Sequence, residues 1–197
     1  MKKYNELFIT FALIFFTQGC SIQSDEQILR KEFNIPASAK TILFTSSPEK
    51  GGWFGREGLR IDATFQFNDT DFQGYKGEAE KSGAWQPLPI PKYFLMKMGG
   101  IKAGKEMRLR THRAIGEPIP KEGTVYNPTE EQLYEKFVSQ LFLDAKNGLY
   151  QCRAAGNDIM HEQKVIYKSL EKELNDFMFA VLDTDKKILK IKVSTNY

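Results

Sequence analysis

Residues Leu59 to Phe67 constrain the fold more than any other stretch of this chain. Leu59, Ile61, Ala63, Phe65 and Phe67 alternate without a break with Arg60, Asp62, Thr64 and Gln66. A period of two sends the first set to one face of a strand and the second set to the other. One face must therefore be covered, while the other meets water. That is the pattern of a half-buried strand in an antiparallel sheet. A strand of this kind needs paired neighbours and a packed layer against its apolar side.

The neighbours come mostly from the last quarter of the chain. Leu149–Ala154, His161–Lys168, Phe177–Leu182 and Ile188–Ser194 read as strands. A turn is expected at Ala155–Asp158, and Asp183–Lys186 joins the last two strands as a hairpin. Thr41–Thr45 adds a short β-prone run, and Glu106–Arg113 (EMRLRTHR) alternates as a strand would. The packed layer is expected from Asn127–Leu143. There Asn127 caps, Pro128 takes the first helical position and Glu130 completes a capping box, with Leu133, Phe137 and Leu141 on one face.

Shorter helices are expected from Ser24, paired with Gln27 as a capping box, to about Phe33, and behind Asn68, where Phe72, Tyr75 and Ala79 recur at helical spacing. Trp85–Pro91 (WQPLPIP) carries proline at every second position from Pro87 and reads as extended and irregular. No alternation of strand and helix calls for a parallel sheet. The expected fold class is α+β: a mostly antiparallel sheet with one main packed helix and two or three short ones.

The N-terminus carries a different signal. Lys2 and Lys3 precede Leu7–Phe16, which is apolar except for Thr10, and Thr17-Gln18-Gly19-Cys20 follows. A basic start, a short apolar run and a small residue before a cut describe a secretory signal peptide. The run falls short of the ~20 apolar residues that cross a bilayer. With a cysteine directly behind it, this stretch resembles the signal of bacterial lipoproteins, although Thr17 and Gln18 stand where that pattern prefers Leu and a small residue. The resemblance implies that Cys20 is acylated and becomes the new N-terminus. Ser21, rather than Asp, after the cysteine implies transport to the outer membrane, on its periplasmic face. Residues 1–19 would then be signal, 20–24 a lipidated tether and 25–197 one globular domain.

Charge and cysteine content narrow the function. A formal net charge of +3 argues against broad nucleic-acid binding, which needs a strong basic excess. Acylation of Cys20 leaves Cys152 alone, so a disulfide framework is excluded. Cys152 reads as a small buried hydrophobe; a thiol nucleophile working with Asp158 and His161 is the sharper alternative. His112 and His161 lie far apart, and the two Asp-Thr-Asp runs at 69–71 and 183–185 lack the further oxygen ligands of a calcium loop. No metal and no cofactor are expected.

Two stretches are candidates for binding. The loop Ser46–Gly58 sets Trp53, Phe54 and Arg56 among four glycines. It lacks the Gly-Lys-Ser/Thr ending of a phosphate loop, and reads either as a recognition loop or as one that folds its aromatics onto the core. On an EMRLRTHR strand, Arg108, Arg110 and His112 would project side by side at about 7 Å spacing, with Arg113 at the end. Guanidinium forks in such a row suit carboxylates or phosphates; a solvated face balanced by acids is the plainer alternative. The expected role is a lipid-anchored, non-catalytic binding or scaffolding module, with the membrane as one partner and an envelope protein or anionic ligand as another. The alternatives are an inhibitor or immunity-type protein of the envelope, and a thiol-dependent enzyme.

Overall fold

The computed structural model describes residues 23–49, 58–141, 143–155, 159–174 and 176–195; Cys20, Trp53, Phe54, Arg56 and Asp158 lie outside them. Among the described residues the helices are α1 (Asp25–Glu32), α2 (Asp69–Lys81), α3 (Lys92–Met98), α4 (Ile101–Ala114) and α5 (Glu130–Ser139). The strands are β1 (Lys40–Glu49), β2 (Gly58–Gln66), β3 (Gln86–Pro87), β4 (Gly148–Ala154), β5 (Val165–Tyr167), β6 (Asp176–Asp183) and β7 (Ile188–Thr195). They form one sheet in the order β1-β2-β7-β6-β4-β3, with β5 also pairing with β4. Every pairing is antiparallel. The fold is α+β, as the strand pattern predicts.

The two ends of the sheet are covered differently, and the side chains explain why. In β2 the alternation holds: Ile61, Ala63 and Phe65 are fully buried under α1 and α2. The opposite face of β2 and β7 carries Arg60, Asp62, Lys190 and Lys192; Lys192 Nζ reaches Asp62 Oδ1 at 2.8 Å. Strand β6 is buried at every position. Its Met178, Ala180 and Leu182 join the core under α1 and α2, whereas Phe177, Phe179 and Val181 join a second core with Phe94, Leu95 and Met98 of α3. An unbroken apolar run is what a strand covered on both faces requires.

Local signals set several boundaries. Ser24 and Gln27 form the expected capping box of α1, and the Asn68 side chain caps α2 by accepting from Asp71 N. Strands β4, β6 and β7 and the 183–186 turn lie where predicted, but only Val165–Tyr167 of the predicted 161–168 strand pairs. Three expectations need correction. Helix α5 is capped by Thr129, which forms a capping box with Gln132. Asn127 instead donates from Nδ2 to Pro120 O at 2.8 Å and pins the preceding loop. Nor is α5 the main packed helix, because none of its residues is buried outright. Tyr134, Phe137 and Val138 only flank the second core, and α1, α2 and α3 do most of the covering.

The third correction is the stretch 106–113, which is helix α4 and not a strand. Ala103, Lys105, Glu106, Met107 and Leu109 are good helix formers. Ile101 is buried and Lys105, Leu109 and His112 are half-buried, a spacing of three and four that gives a helix one inward stripe. Eight residues of alternating long apolar and basic side chains satisfy either period, so the alternation alone misleads.

Two close approaches, one to backbone and one to a side-chain ring, leave no room for a Cβ. Gly148 has φ 148°, and a Cβ there would lie 1.9 Å from Leu182 O on the paired strand. At Gly99, where α3 ends, a Cβ would lie 2.7 Å from the Phe137 ring of α5. The segment before β4 is tied down by Asp144, whose carboxylate takes hydrogen bonds from Lys186 and Lys190. Those bonds hold its proton affinity well below the usual carboxylate range.

Replacing Gly148 by alanine is expected to lower the unfolding free energy by ~2 kcal/mol or more, read by urea denaturation. Gly104→Ala, with open space around it in α4, should raise it by about 0.5–1 kcal/mol. The depressed pKa of Asp144 gives an acid-limb prediction. The unfolded chain takes up this proton first, so the contribution is complete above about pH 4 and fades as pH falls further. Asp144→Asn should flatten that limb of the stability–pH curve without moving the neutral plateau by more than a surface pair allows.

Candidate functional site

The predicted basic row does not form. On α4, at about 100° per residue, Arg108 and Arg110 point in very different directions. Glu106 braces both Arg110 (3.3 Å) and Arg113 (3.5 Å). His112 Nδ1 lies 3.3 Å from Glu117 Oε2 but makes no hydrogen bond to it. Arg108 has no ion pair among the described residues. Arg108 and His112 fall on one side of the helix and Arg110 and Arg113 on another, so the four make no single row. Trp53, Phe54 and Arg56 cannot be placed relative to them, since they lie outside the described residues.

Cys152 and His161 are not brought together either. Strand β4 turns Cys152 toward α3, where it is fully buried with Sγ 3.7 Å from Met98 Sδ. Burial pushes its thiol far above the ordinary range, so it stays protonated and enclosed. His161 lies on the other side of the sheet, beside Ile28 and Glu32 of α1. Among the described residues no group of three His, Cys, Asp or Glu side chains is placed to hold a metal ion.

A site that sequence reasoning missed lies between α1, α2, β4 and β5. The alternation that sends Tyr150 and Cys152 toward α3 sends Gln151 and Arg153 toward α1 and α2. Gln151 is buried; its Nε2 donates to Ala84 O at 3.2 Å and ties the segment carrying Trp85 to the sheet. Arg153 is held on three sides. Its Nε donates to Gln151 Oε1 at 2.6 Å, its Nη1 donates to Glu32 O at 2.8 Å and to Glu32 Oε1, and its guanidinium carbon stands 4.3 Å from the Phe33 ring centre. Glu32 is shared: its Oε2 lies 3.3 Å from Lys164 Nζ, and that ammonium also donates to Glu162 O at 2.9 Å. Arg153, Glu32 and Lys164 together carry one net positive charge in a place where the two cationic side chains are only 13% and 5% exposed.

Aromatic rings enclose the rest of this site. Trp85 lies 6.4 Å from both Phe33 and Tyr75, tilted against the first and edge-on to the second. Tyr75, brought in by α2, donates its hydroxyl to Phe33 O at 2.8 Å. Burial pushes its phenol proton affinity up, Arg153 pulls it down and Glu78 pushes it up. The cleft among them has a volume of about 320 Å³, with Glu78, Ser82 and Ile166 at its lining. Arg153 Nη2 makes no hydrogen bond among the described residues. A guanidinium nitrogen with an unused donor, set among three rings, can receive an anionic oxygen. The one sequence signal for it is an arginine between Cys152 and Ala154, near the end of a strand and flanked on both sides by buried residues.

The sequence matches no family model and no curated protein, and the chain matches no solved structure.

Glu32 holds two nearly enclosed cations, so Glu32→Gln is expected to lower stability by about 3 kcal/mol. Lys164→Met leaves the Arg153–Glu32 pair intact and fills the same space with an apolar stem; about 1 kcal/mol or less should be lost. Urea denaturation of the two variants beside the parent checks the contrast.

Proposed function

We propose that this protein is a lipid-anchored, non-catalytic binding module of the cell envelope, held at the periplasmic face of the outer membrane, and that the cleft around Arg153 receives its ligand. The observation that carries the binding reading is that cleft, about 320 Å³ in volume and walled by Phe33, Tyr75 and Trp85 beside a partly unengaged guanidinium. Its volume falls in the usual range for small-molecule sites. Binding without chemistry is supported by the roles of the cleft's polar groups. The Ser82 hydroxyl donates to Ala79 O and accepts from Ala84 N, and the Tyr75 hydroxyl is engaged with Phe33 O, so neither is paired with a base.

The anchor reading is supported by Leu7–Phe16 followed by Cys20. Helix α1 begins at Asp25, so the tether would be only a few residues long. Among the described residues no helix is long and apolar enough to cross a membrane. Several acyl chains on one cysteine would hold the body stably at the bilayer, near envelope partners.

The exposed side chains of Met107, Ile115, Ile119, Val125 and Tyr126 favour a second reading, an inhibitor that presents the 101–127 region to an envelope enzyme. Single exposed apolar residues are ordinary, but five within twenty residues favour a docking region.

Mass spectrometry of the native N-terminus should find acylated Cys20. Cys20→Ser should abolish labelling by palmitate and move the protein from the membrane fraction to the soluble one. A retained Met1, or an unmodified thiol on a membrane-free protein, would overturn the anchor. Stoichiometric capture of one envelope enzyme by the parent but not by Val125→Glu would replace the ligand-binding reading with the inhibitor.

A further inference from the structure

We infer that the Arg153 cleft takes a carboxylate attached to a flat apolar ring, an inference that rests on the binding role given to the cleft above. The carboxylate is the partner that the hydrogen bonding of Arg153 leaves open, among described lining residues that include Arg153 as the one cation and Glu78 as the one carboxylate. Of the Arg153 nitrogens, Nε and Nη1 are engaged and Nη2 is not. An incoming oxygen at Nη2 makes a charge-assisted hydrogen bond to a guanidinium whose orientation is already set by Gln151, Glu32 and the Phe33 ring, so little ordering is left to do.

The ring follows from the walls. Trp85 is half-buried and stands off Phe33 and Tyr75 at centroid distances of 6.4 Å, and the cleft beside them has a volume of about 320 Å³. A cavity of ~150 Å³ lodges benzene, so this one has space for one ring and a short acid-bearing arm. Edge and face contacts with the three aromatics supply the apolar part of the recognition. The same chemistry occurs in a free aryl acid and at the C-terminus of a peptide ending in an aromatic residue.

Ile166 provides a handle that leaves the ion cluster alone. It is 41% exposed, lines the cleft and sits directly opposite Arg153 in the β4–β5 pairing. A carboxylate built there would occupy or screen the guanidinium; an ammonium would not.

The test uses the full chain in detergent micelles, labelled with 5-fluorotryptophan and titrated with phenylacetate, phenylacetamide, and a pentapeptide ending in phenylalanine as acid and as amide. Trp53→Phe assigns the two fluorine signals. Phenylacetate should shift the Trp85 signal at least ~10-fold more tightly than phenylacetamide, as an ionic hydrogen bond predicts. Ile166→Glu should weaken the acid ~10-fold more than Ile166→Lys does. A peptide acid that binds more tightly than phenylacetate identifies a chain terminus as the source, and the reverse order a free acid. Equal binding of acid and amide at Trp85 overturns the carboxylate while leaving the cleft a binding site. No Trp85 shift with any probe, in a protein whose unfolding curve is intact, overturns both.

Discussion

Strand β6 must be dry on both sides, and the rest of the fold answers that requirement. Its eight residues are all buried, with Asp176 and Asp183 as the only charged members, one at each end. Met178, Ala180 and Leu182 need one apolar layer, and Phe177, Phe179 and Val181 need another. Each large side chain so covered contributes ~1.5–3 kcal/mol, so neither layer is dispensable. Helices α1 and α2 supply one, and α3 with Leu141 and the flank of α5 supplies the other. Both layers meet the sheet where β6 and β4 lie side by side. Away from that centre, β2 and β7 keep one polar face, and the second layer stops.

The cleft is a by-product of this arrangement. Strand β4 is covered on both faces too, but two of its residues toward α1 and α2 are polar. Burying Gln151 and Arg153 is tolerable only with partners for their donors. Ala84, Glu32 and the Phe33 ring are those partners, and satisfying them fixes where α1 ends and where the Trp85 segment runs. The same contacts satisfy Arg153 on two nitrogens and leave the third without a hydrogen bond among the described residues, in a side chain that lines the cavity. Stability and the proposed ligand recognition therefore share residues at this spot, and a substitution at Arg153 or Glu32 is expected to be felt in both.

How much could be read from the chain depended on whether the signal was local. Ser24 with Gln27, Asn68 before α2, and the 183–186 turn are decided within a few residues, and all appear where expected. The β2 alternation is long enough to be unambiguous. Residues 106–113 are not: long apolar and basic side chains alternate there over a stretch that a helix also tolerates, and Ile101 and Lys105, which complete the inward stripe of α4, lie outside the window. Asn127 and Thr129 are both good caps two residues apart, and the Gln132 side chain decides between them. The cleft was beyond reach because Phe33, Tyr75, Trp85 and Arg153 come from four separate stretches that only the sheet order brings together.

Helix α1 runs from β1 at one margin of the sheet to β4 in its interior. Near its start, Ser46 of β1 donates to Asp25 at 2.6 Å and Thr41 donates to Glu26 at 2.7 Å. Midway, Arg30 donates to Ala39 O and Thr41 Oγ1 and stacks over Phe65 of β2. At its end, Glu32 grips Arg153 of β4. A pull on the polypeptide ahead of Ser24 therefore does not peel away a single outer strand. The mechanical load enters a short brace bolted to β1 at one end and to β4 at the other and is shared across the strands beneath it.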